Sequence, residues 1–104
     1  MGQFYGIDGA YNVNADGVTV VSSGTSQFVT IPNTADGNRA RIVRLQVTGN
    51  LYVKFGKSSS VTATTNSMLL SPSFDVLVNC KQFDTVAYLQ EVAGAKLNIT
   101  PLEA

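Results

Sequence analysis

The chain has 104 residues, enough for one domain and one modest core. Apolar residues make up 44% of it, an ordinary share, whereas charged residues reach only 13% and seven acidic side chains balance seven basic ones. A surface this neutral offers no field to attract nucleic acid or anionic lipid, and the absence of histidine removes the usual general base and the commonest metal ligand. One cysteine, Cys80, excludes an intrachain disulfide and a thiolate zinc site, and its place after an apolar run predicts a small, half-buried residue at a strand end. No cofactor, metal, membrane or small-molecule substrate is expected.

In chain order, residues 1–16 stand apart. Phe4, Tyr5, Ile7 and Tyr11 lie among glycines and turn formers with no sustained period. The segment is too rich in glycine to build a core, yet its aromatics are costly to leave in water. It reads as an extended arm laid on another surface, or else as an irregular first strand on its own domain. The segment itself has neither a basic region nor an apolar run and is not expected to be a signal peptide, and position 6 of "MGQFYG" is glycine where a myristoylation signal needs Ser or Thr.

From residue 17 to 104 short β-type runs alternate with turn residues. "VTVVSS" (18–23) stops at Gly24, and "QFVTI" (27–31) at Pro32. The loop "PNTADGN" turns most tightly at Asp36-Gly37. In "RARIVRLQVT" (39–48), Arg41, Val43, Leu45 and Val47 share one parity and Ala40 and Ile42 the other, which predicts a bulge near Ile42 or a strand covered on both faces. "LYVKF" (51–55) alternates cleanly, with Leu51, Val53 and Phe55 inward. "VTATT" and "SMLLS" follow, and "FDVLVN" (74–79) sets Phe74, Val76 and Val78 against Asp75. "FDTVAYLQEV" (83–92) closes at Gly94, and "AKLNI" (95–99) at Pro101. Eight or nine strands at this spacing, with no helical stripe, predict an all-β chain: a single antiparallel β-sandwich over 17–104, first as a jelly roll and second as an immunoglobulin-like sandwich.

Candidate chemistry is sparse. Gly56-Lys57-Ser58 has the letters of a phosphate-binding loop, but the first glycine of G-x-x-x-x-G-K-[ST] would have to stand where Leu51 is, and a β-type run follows instead of a helix. Asp8, Asp16 and Asp36 each precede glycine and read as turn formers, while Asp75, Asp84 and Glu91 are placed on solvated strand faces. No carboxylate pair is favoured for glycosidase chemistry, and the chain is expected not to be an enzyme. Arg39, Arg41 and Arg44 form the one basic cluster. Without an aromatic platform beside it, the cluster suits an acidic protein surface or cross-strand pairing better than nucleic acid. Tyr52 and Tyr88, at parity opposite the aliphatics, are the candidates for a glycan-binding face.

From about Val18 onward the chain resembles small structural proteins of tailed bacteriophages. The likeness is carried by "LYVKFGKSSSVTATTNSMLL" and by "FDTVAYLQEVAGAKLNITPLE": a strand ending in Phe-Gly, a Thr/Ser-rich connection, a Leu-Leu-Ser-Pro break, Ala-Tyr-Leu-Gln, a Gly turn and a Leu-x-Ile-Thr ending. The resemblance implies a virion component, most like a capsid decoration or cement protein: a homotrimer on the outer surface of the phage head, assembled in the host cytoplasm, bridging subunits of the major capsid protein. Phe4, Tyr5, Ile7 and Tyr11, with Arg39, Arg41 and Arg44, are then its expected interface. A tail, adaptor or fibre-associated component, or a glycan-binding sandwich, are the alternatives.

Overall fold

The computed structural model describes residue 13 and residues 15–103. Among these residues eight strands follow in order: β1 Val18–Val21, β2 Gln27–Thr30, β3 Ile42–Val47, β4 Leu51–Gly56, β5 Met68–Leu70, β6 Val76–Asn79, β7 Thr85–Gln90 and β8 Lys96–Leu102. A single 3₁₀ turn, Ser58–Ser60, is the one helical element among the described residues. The strands form two four-stranded sheets, ordered β1-β8-β3-β6 and β2-β7-β4-β5, and every pairing is antiparallel.

The all-β expectation thus holds, with a sandwich-like core. Val43, Leu45, Val47, Leu97 and Ile99 come from the first sheet, and Leu51, Val53, Leu70, Val86 and Tyr88 from the second; all belong to one buried cluster. In β3 and β4 the inward residues are those that share a parity, as period-2 side-chain alternation requires. Arg41 leaves this pattern: it sits on a bend before β3, exposed, while Ala40 on its other side is buried. The mixed parity of 39–48 therefore marks a strand that starts at Ile42 after a bend.

Three expectations need correction. Phe74 does not continue the inward row of Val76 and Val78; it precedes β6 and is 58% exposed. The run "VTATT" forms no strand, and Val61 and Ala63 instead lie on the outer face of β7 over Ala87. Pro101 does not end β8, which continues to Leu102. Its tolerance follows from register. Thr48 N–H donates to Lys96 O, so the alternation makes Arg44/Thr100 and Ile42/Leu102 the hydrogen-bonded pairs of β3 with β8, and Val43/Pro101 a non-bonded one. The missing N–H of Pro101 thus faces the β1 side, where pairing has already stopped at Val18/Ile99.

Candidate functional site

The phosphate-loop letters resolve into a turn. Gly56 ends β4 opposite Thr85, and a Cβ there would come 2.5 Å from Cβ of Val61, so the glycine serves a close approach of chain to chain. Ser58 has φ 53°, and its N–H donates to Asp84 Oδ1 at 2.8 Å. That carboxylate occupies a backbone donor of the turn, and it also accepts from Thr85 Oγ1 at 2.8 Å. The Ser58 N–H beside it, then the Thr85 hydroxyl, hold the Asp84 carboxyl below the usual range.

Asp75 and Asp84 do not form a pair. Asp75 receives Nε and Nη2 of Arg44 at 2.9 and 2.6 Å, whereas Asp84 is engaged with Ser58 and Thr85. Neither lies within a strand, as their sequence pattern suggested; each directly precedes one, β6 and β7 respectively. No group of three or more His, Cys, Asp or Glu comes together among the described residues.

The basic cluster is divided among three settings. Arg44, in β3, is ion-paired with Asp75, both side chains being well exposed. Arg39 donates from Nη2 to Phe83 O at 3.0 Å, spanning from the loop before β3 to the loop before β7. Arg41 is exposed on its bend, with no side-chain hydrogen bond or ion pair among the described residues. Phe4, Tyr5, Ile7 and Tyr11 lie outside the described residues.

The tyrosines do not make an exposed platform. Tyr88 pairs with Val53 in register, faces the core and is only 6% exposed, and burial pushes its phenol pKa up. Tyr52 is half-buried, and its hydroxyl donates to Glu91 Oε2 at 3.3 Å. Cys80 is buried outright, not half-buried: its Sγ donates to Ala40 O at 3.3 Å and burial raises its thiol pKa, which leaves little reactive thiolate.

A feature that no motif marked lies on the outer face of the second sheet. Leu69, Tyr52 and Leu89 are register partners across β5, β4 and β7, and all three stand on the face opposite the core. Phe28 of β2 shares that face, one row along, opposite Ala87. Leu69 is 45% exposed and Phe28 53%, and Tyr52 and Leu89 are half-buried. The crossing segment at Val61 and Ala63 covers Ala87 but leaves Phe28 and Leu69 in solvent. Isolated exposed apolar residues are ordinary, but several on one sheet face are the usual form of a docking surface. Within their own strands residues 28, 52, 69 and 89 each alternate with a core-facing neighbour, but only the strand order brings them onto one face.

No family model, no curated protein and no solved structure matches this chain.

Proposed function

We propose that this protein is a structural component of a tailed-bacteriophage particle, a decoration protein that binds the outer surface of the head as a homotrimer and bridges subunits of the major capsid protein. The observation that carries the reading is the exposure of two large apolar side chains, Phe28 and Leu69, on the outer face of β2-β7-β4-β5, where Lys54 and Thr30 are the exposed polar neighbours. A cement subunit needs a rigid scaffold with a sheet face to seat, and little charge to be desolvated on seating. The chain combines zero net charge with such a face.

The strand order supports a jelly roll as the scaffold. In that fold two interlocked Greek keys place the first strand beside the last and the second beside the second-last. Here β1 adjoins β8 and β2 adjoins β7, and the remaining positions, β3-β6 and β4-β5, complete two sheets of four. In this proposal residues 1–16 act as the arm, with Phe4, Tyr5, Ile7 and Tyr11 as anchors on a neighbouring subunit. Such anchors supply large contact area at low side-chain entropy cost.

The test is the copy number of this protein relative to the major capsid protein in purified particles. A ratio near one is expected. A ratio that corresponds to roughly six to a few dozen copies per particle would place it in the tail or portal, and absence from the particle would end the virion reading.

A further inference from the structure

A cavity of about 220 Å³ opens at one end of the two sheets, where the end of β2, the loop before β3 and the loop before β7 meet. Ile31 and Ala40, both buried, contribute apolar lining, and Phe83, Asp84, Arg39 and Asn33 line it with more varied chemistry. The walls are fixed. Ile31 N–H donates to Asp84 O at 2.9 Å, joining the β2 and β7 sides. The Arg39 guanidinium is tied to Phe83 O, and the Phe83 ring packs at a tilt on Phe55 with centroids 6.3 Å apart.

The hydrogen-bonding groups left over are mixed. Asp84 Oδ1 is taken by Ser58 and Thr85, but Oδ2 has no partner among the described residues. Arg39 uses one nitrogen on Phe83 O, so Nε and Nη1 keep their N–H donors, and the Asn33 amide has no internal partner among the described residues. One anion and one cation flank an aromatic ring, so the cavity carries no net charge to favour a simple ion. We propose that it binds a single pyranose ring, with Phe83 as the apolar wall, Asp84 accepting from ring hydroxyls, and Arg39 and Asn33 donating to them.

A pyranose has an apolar C–H surface bordered by hydroxyls that both donate and accept, which is what an aromatic wall beside a carboxylate, a guanidinium and an amide can satisfy together. The volume lies below the roughly 300–1,000 Å³ of sites for drug-sized ligands, so the site fits one ring and not an extended oligosaccharide. The Asp84 carboxyl is ionised at neutral pH, as its ordinary value of 3.8 requires and the Ser58 N–H further favours, and so is an acceptor there. This site is distinct from the Tyr52 and Tyr88 positions, and its occupancy is independent of whether the protein sits on a capsid.

The experiment is a backbone and side-chain amide NMR titration of the full chain with methyl α-glucoside, methyl α-galactoside, methyl α-mannoside and N-acetylglucosamine, with glycine and sodium acetate as comparators. At least one sugar should give saturable shifts at Asn33, the Arg39 Nε–H and residues 83–84, with Kd in the range of roughly 1–10 mM. Arg39→Ala should weaken that binding at least about tenfold, the loss of one charge-assisted donor. Asn33→Ala, which removes a loop amide with no internal partner, should weaken it while leaving the remaining spectrum in place. Three results would each overturn the proposal: no saturable shift from any sugar, the same shifts from glycine or acetate as from sugars, or unchanged affinity in both variants.

Discussion

At Gly17 the chain passes so close to β8 that an added Cβ would lie 2.1 Å from the carbonyl oxygen of Ile99 and 2.9 Å from Cα of Thr100. Backbone atoms cannot step aside as a flexible side chain can, so Gly17→Ala must shift β1 away from β8 or lose the pairing. Gly37 is glycine for another reason. Its φ is +85°, inside the Thr34–Asn38 turn, with nothing within 4 Å of an added Cβ. Gly37→Ala therefore meets only the left-handed conformational cost, about 1–2 kcal/mol. Gly17→Ala instead meets overpacking, typically about 1–3 kcal/mol and more where backbone is the obstacle. In thermal unfolding Gly17→Ala is expected to lower Tm by more than Gly37→Ala; the reverse order would mean that the β1–β8 contact is looser than its geometry. The Arg44–Asp75 pair, by contrast, is solvent-exposed on both sides and contributes at most about 1 kcal/mol.

At the scale of elements, the connection from β4 to β5 shows how far strand patterns carry. The alternation of "LYVKF" was legible because one face of β4 meets the core and the other meets solvent more freely. β7 gave no such contrast: Thr85, Val86, Ala87 and Tyr88 are all buried, because the 57–67 segment folds over its outer face. With both faces covered, parity relative to the aliphatics placed Tyr88 on the wrong side, and no local pattern could have corrected it. The glycine of Phe-Gly-Lys, read as a turn in the sequence, admits that covering segment at close range, and the aspartate before β7, which the sequence pattern set on a solvated strand face, holds it in place. Asp84 is the pin. Because its hydrogen bonds from Ser58 and Thr85 favour the carboxylate in the folded protein, the folded state binds fewer protons there than the unfolded chain. Its contribution to stability is therefore full above the ordinary carboxyl value of 3.8 and is lost as pH falls through the lowered folded value. Asp84→Asn should flatten the decline of Tm between about pH 4 and pH 2. Parallel curves for variant and wild type would show that the Ser58 contact does not discriminate between the two protonation states.

For the whole molecule, the proposal gives two separate means of seating, the outer face of the second sheet and the 1–16 arm, while the arginines matter little. Arg44 is already paired with Asp75 and Arg39 with the Phe83 carbonyl, which leaves Arg41 alone to meet a partner's charge. Replacing all three by Ala should slow attachment to purified heads at low salt and leave saturation unchanged at 0.15 M ionic strength, where the screening length is about 8 Å. The paired substitution Phe28→Ser with Leu69→Ser removes the apolar face without entering the core, since both side chains already stand in water. It should keep the unfolding free energy within about 1 kcal/mol of wild type, as exposed positions do, and reduce head binding by at least about tenfold. Deleting residues 1–14 stops short of Gly17 and β1, so the strand pairing from Val18 to Leu102 is retained while the four anchors are lost. Binding that survives the serine pair but fails on deletion would assign seating to the arm, and the converse would assign it to the sheet. Full binding after both changes would remove the physical basis for the decoration proposal, because no other exposed apolar set on the described residues shares a single sheet face.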